Sequence, residues 1–98
     1  MDGGPAFAPP RKRSVTIAGH ETSISLEPMF WASLEEAATR LGKPLSALIA
    51  DIDVARLEVR PVPNLTSAIR QWLFRRALGG GDDGAGEGVL GVGNDVEP

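Results

Sequence analysis

Between residues 14 and 26 apolar and polar positions alternate, with Val15, Ile17, Ile24 and Leu26 apolar and their neighbours mostly polar. A period of two predicts strands that bury one face. Gly19-His20 separates the two runs, and a leading glycine suits a two-residue type II′ hairpin. That register sets Ile17 opposite Thr22, Thr16 opposite Ser23, Val15 opposite Ile24 and Ser14 opposite Ser25. Val15, Ile17 and Ile24 then share one face, and Ser14, Thr16, Ser23 and Ser25 share the other. A lone hairpin is marginal in water, so its apolar face needs a partner.

From residue 28 the period lengthens. Phe30, Leu34, Ala37, Ala38 and Leu41 follow helical spacing, with Glu35, Glu36 and Arg40 outside the stripe. Pro28 suits a first helical turn, while Gly42 and Pro44 predict the stop. A second helix is expected with Ser46 as its cap, Leu48, Ile49 and Ile52 inward, and an end near Leu57. After the break "RPVPN", Asn64 is expected to cap a third helix carrying Leu65, Ala68, Ile69, Trp72 and Leu73 on one face. Trp31 and Trp72 read as packing anchors.

Composition narrows the foldable piece to about residues 11–78. Residues 1–10 hold three prolines and two glycines; residues 79–98 hold eight glycines, five carboxylates and no basic residue. Both are expected to be disordered, as an N-terminal arm and an acidic tail. All ten basic residues and seven of the thirteen acidic ones lie between Arg11 and Arg76, so the central piece carries +3 although the chain carries −3. Such a balance permits a polyanionic partner. So short a core is often completed by dimerisation.

Little of this composition suits catalysis. There is no cysteine, which excludes thiolate chemistry and zinc–sulfur sites. The one histidine, His20, lies at a predicted turn without a nucleophile and an orienting group beside it. Asp51 and Asp53 are two apart on a helix and point away from each other. "GEGVLG" in the tail has neither a preceding strand nor the Lys-Ser/Thr of a phosphate loop. No enzyme activity, metal or cofactor is expected. No apolar run reaches membrane-spanning length, and the expected location is the cytoplasm. The run Arg11, Lys12, Arg13 beside the ribbon could neutralise phosphates from a flexible arm or merely solubilise an edge strand.

"KRSVTIAGHETSISLEPMFW", the turn "LGKPLS", "LSALIADID" and "NLTSAIRQWL" together resemble the ribbon-helix-helix family of bacterial DNA-binding proteins. The likeness is to a subfamily with an extra front strand and a third, C-terminal helix, and it covers about residues 12–75. The resemblance implies a mainly α fold with a short β-ribbon, an obligate homodimer, and a transcriptional regulator that lays its ribbon in the major groove. On that pattern the ribbon strand is Thr22–Leu26, with Ser23 and Ser25 towards the groove and Glu21 or Glu27 as a third position. The N-terminus of the second helix, with Lys43, Ser46 and Ala47, is implied as a phosphate clamp. The candidate DNA-contacting set is therefore Arg11, Lys12, Arg13, Ser14, Thr16, Ser23, Ser25, Lys43 and Ser46. Two features depart from the pattern: short serines stand where longer polar or basic side chains are usual, and Glu21 replaces a usually basic residue. The competing reading is a dimeric adaptor or sensor that kept the fold and binds a protein or a small anionic ligand such as a nucleotide.

Overall fold

The computed structural model describes residues 7–79. The expected arm and tail fall mostly outside the described residues. Within them the order is β1 (Arg11–Ile17), β2 (His20–Leu26), α1 (Pro28–Leu41), α2 (Leu45–Arg56) and α3 (Leu65–Leu78). The hairpin and three helices follow the order that the periodicity predicts.

The hairpin turns at Ala18-Gly19, not at Gly19-His20. Both residues have positive φ, 52° and 85°, which is the type I′ arrangement. Pairing runs from Ile17 opposite His20 to Arg11 opposite Leu26, a shift of two residues from the expected register. The turn, one residue earlier in the chain, lets each strand pair along seven residues, offsetting the cost of a left-handed alanine. A shift of two preserves side-chain parity, so the expected inner and outer faces survive. Val15, Ile17, Ile24 and Leu26 are buried beneath the sheet.

The four largest fully buried side chains are Leu26 of β2, Leu34 of α1, Ile49 of α2 and Ile69 of α3. One residue from the ribbon and one from each helix therefore meet at the centre. Without α3, Ile69 and Leu73 would leave that core open on one side.

Helix boundaries follow backbone chemistry. Gly42, at φ 70°, ends α1; its N–H donates to the Thr39 carbonyl (3.1 Å) and the Lys43 N–H donates to the Ala38 carbonyl (3.0 Å). Asn64 caps α3 as expected, its Oδ1 accepting from the Ser67 N–H at 2.7 Å. Ser46 does not cap α2. Pro44 takes that place, its carbonyl accepting from the N–H groups of Ala47 (3.0 Å) and Leu48 (3.1 Å), and no side chain caps the helix. Ser46 is the second residue of α2, because the fixed φ of proline already launches the turn before it. The helix ends at Arg56, whose guanidinium donates to Asp53 (2.8 Å) and to the Pro63 carbonyl (3.0 Å), tying the α2–α3 loop back.

Candidate nucleic-acid interface

Strand parity divides the basic run. The solvent face of the sheet carries Lys12, Ser14 and Thr16 from β1 and Glu21, Ser23 and Ser25 from β2, all of them exposed. Across the strands Lys12 faces Ser25, Ser14 faces Ser23 and Thr16 faces Glu21. The face thus offers four hydroxyls, one ammonium and one carboxylate. Hydroxyls both donate and accept, so such a face can meet base edges or phosphates without a strong preference among bases.

Arg11 and Arg13 occupy the opposite parity and do not belong to that face. Residues 11–13 are strand, not a flexible arm. The Arg13 guanidinium lies over the Trp31 ring, 4.4 Å from its centroid, and donates to the Glu35 carboxylate at 3.1 Å. Trp31 is buried and its Nε1–H donates to the Arg11 carbonyl at 2.9 Å. These contacts rivet β1 to α1. Only the strand register reveals that Lys12 alone of the three cations faces outward.

The ribbon is held at its other end as well. Glu27 is the residue before α1 and receives the Arg70 guanidinium of α3 at 3.1 Å. Arg70 also lies over Phe30, 5.6 Å from the ring centroid. The Glu27 carboxyl is held below its ordinary value of 4.5, first by a hydrogen bond from its own backbone N–H and then by Arg70. Of the two carboxylates considered for the third groove position, Glu21 is the one on the outer face; Glu27 is engaged as a strut.

At the α2 N-terminus Lys43 does not project freely. Its ammonium pairs with Asp51, in the second turn of α2. Sequence spacing gives little warning of this, since Lys43 precedes the helix and Asp51 lies eight residues on. The uncapped α2 start nevertheless presents first-turn N–H groups of the kind that bind anions. His20 sits exposed at the base of the turn, and among the described residues no cluster of His, Cys, Asp or Glu could hold a metal ion. No helix of the described residues is long and apolar enough to cross a membrane.

A hairpin with a hydroxyl-rich outer face, laid on helices whose second member starts uncapped, defines a ribbon-first helical domain. The chain belongs to the ribbon-helix-helix domain family, whose model matches residues 10–77. That span takes in both strands and all but the last residue of α3. Neither a curated protein nor a solved structure matches the chain. Domains of this family are typically non-enzymatic, DNA-binding and homodimeric.

Proposed function

We propose that the chain is a homodimeric, bacterial, cytoplasmic transcriptional regulator whose sheet meets DNA, with residues 11–78 as the working unit. Two features support the dimer. The sheet has the order β1-β2, so the far edge of β2 has no partner strand among the described residues. Val54 of α2 and Leu57, Val59 and Val62 after it also remain exposed in the single chain. Antiparallel pairing of β2 with its copy would give a four-stranded sheet with β1 outermost on both sides.

The observation that carries the reading is the position of Lys12 on the solvent face of β1. Four strands at ~4.8 Å spacing span roughly 14 Å between the outer backbones. The major groove is about 12 Å wide. The sheet is thus wider than the groove, so the central β2 strands, with Ser23 and Ser25, would face the base edges while the outer strands lie over the flanking phosphates. There Lys12, Ser14 and Thr16 meet phosphates, and the first turn of α2 with Ser46 adds an anion clamp. Arg13 serves as a positioning residue, through Trp31 and Glu35, and Arg11 through its carbonyl.

The test is fluorescence anisotropy with genomic fragments across a salt series. Binding is expected to weaken linearly with log salt. Lys12→Ala is expected to lower the slope by about 2 per dimer, ~0.9 for each phosphate that is no longer neutralised. No binding at about 50 mM salt would end the reading. Sedimentation equilibrium checks the dimer; a monomer throughout the micromolar range would remove its geometric basis. One observation favours a second reading, an adaptor or sensor: the outer face carries one lysine and one glutamate and so has no net charge. Native mass spectrometry of the purified chain discriminates, since a stoichiometric protein or nucleotide with no DNA affinity would reverse the order.

A further inference from the structure

A second surface, on α1 and α3, has its own chemistry. A solvent-open cavity of about 320 Å³ lies between these helices. Ala37, Leu73 and Ala77 line it, and Ala37 and Leu73 are buried. Alanine on both helices leaves room where larger side chains would close the seam. The volume falls at the lower end of the range of small-molecule sites, ~300–1,000 Å³.

Two guanidinium groups line this apolar base, Arg40 from α1 and Arg76 from α3. Arg76 is steered by Trp72, its Cζ 5.6 Å from the ring centroid. Its Nη1 is shielded from solvent and has no hydrogen-bond partner. Closed to solvent as it stands, that donor reaches an acceptor in the cavity only when the Arg76 guanidinium turns towards it, and the turn breaks no hydrogen bond at Nη1. Arg40 is paired only loosely, with Glu36 at 3.5 Å, both side chains about two-thirds exposed (66% and 68%). An exposed pair of that kind exchanges partners at little cost. Glu36 is the one carboxylate among the lining residues, so the cavity carries a surplus positive charge. Ser33 supplies a hydroxyl at its edge.

We propose that this α1–α3 cavity binds a small organic anion, with an apolar body against Ala37, Leu73 and Ala77 and a carboxylate or phosphate between Arg40 and Arg76. The site is separate from the outer sheet face, so it stands whether or not that face meets DNA.

The experiment is an amide NMR titration of the full chain with benzoate, phenyl phosphate and neutral benzamide. Saturable shifts centred on Ser33, Ala37, Leu73 and Ala77 are expected with one or both anions, and the stronger of the two identifies the charged group. Benzamide is expected to bind at least roughly tenfold more weakly, the size of one charge-assisted hydrogen bond. Arg76→Gln should weaken the anion by a similar factor. Ala77→Leu, at an exposed helical position, should block the cavity while leaving the thermal melt unchanged. Equal binding of benzamide, shifts spread over all arginines, or undiminished binding to folded Ala77→Leu would each overturn the proposal. So would the absence of any saturable shift.

Discussion

Trp31→Phe isolates what fastens the ribbon to the helices. The indole is 4% exposed and performs three tasks: it fills the core, supports the Arg13 guanidinium, and donates from Nε1 to the Arg11 carbonyl. Phenylalanine keeps an aromatic face for Arg13 and most of the burial. The lost hydrogen bond is worth about 1 kcal/mol. The missing fused ring withdraws roughly 40 Å² of apolar surface, about 1 kcal/mol at ~25 cal/mol/Å². The Arg11 residue is exposed, so water can satisfy its freed carbonyl and no further penalty is expected. The total is about 2 kcal/mol. With an m-value of about 1 kcal/mol/M for so small a domain, the urea midpoint should fall by about 2 M. Far-UV circular dichroism reads this, at one protein concentration for both variants because association shifts apparent stability. Amide exchange in β1 should accelerate more than in α2. A midpoint drop below about 0.5 M with unchanged m, or equal acceleration in both elements, would refute the rivet.

The strut at the other end of the ribbon is sensitive to pH. Because the folded Glu27 carboxyl titrates below 4.5, its contribution is full above that value and is lost as pH falls through the lowered value. Glu27→Gln should therefore flatten the acid side of the stability profile below pH 4.5, and urea midpoints taken across that range would check it. In the turn, Ala18→Asn places the preferred Asn-Gly pair at the two positive-φ positions and should stabilise by about 0.5–1 kcal/mol, read from the thermal midpoint. Asp51→Asn frees Lys43, so DNA affinity should rise, most at low salt, in the anisotropy assay that tests Lys12.

Much of the fold is visible as periodicity, and the departures have identifiable causes. The 3.6-residue stripes around Leu34, Ile49 and Ile69 place all three helices, and each supplies one of the innermost side chains. The hairpin register differs because two local rules compete. Glycine first in a turn favours type II′ at Gly19-His20, while longer pairing favours type I′ at Ala18-Gly19. Only the full ladder, with Arg11 brought opposite Leu26, decides between them. The start of α2 departs from expectation for a similar reason: serine has the stronger capping preference, yet Pro44 two residues earlier already sets the helical turn. The register shift leaves the sheet faces intact, since two residues along a strand restore the same side.

The candidate surface is harder to read from sequence, because a run of like charges gives no direction until it is assigned to strand or coil. As coil, Arg11-Lys12-Arg13 would be three mobile cations. As strand, alternation commits Lys12 to one side and both arginines to the other. The partners that hold Arg13 lie on α1, at Trp31 and Glu35, roughly twenty residues away in the chain. Lys43 is neutralised by Asp51 and Arg70 by Glu27, pairings that are likewise distant in sequence. The formal +3 of the central stretch overstates what the ribbon presents because of where the charges lie: Arg13–Glu35, Lys43–Asp51 and Arg70–Glu27 each sum to zero, and on the outer sheet face Lys12 is balanced by Glu21. If the sheet does read DNA, affinity should come from few cations, Lys12 foremost. Its salt dependence should then be shallow beside that of proteins that neutralise about 6–10 phosphates. A steep slope that survives Lys12→Ala would place the DNA-binding charges on another face of the molecule.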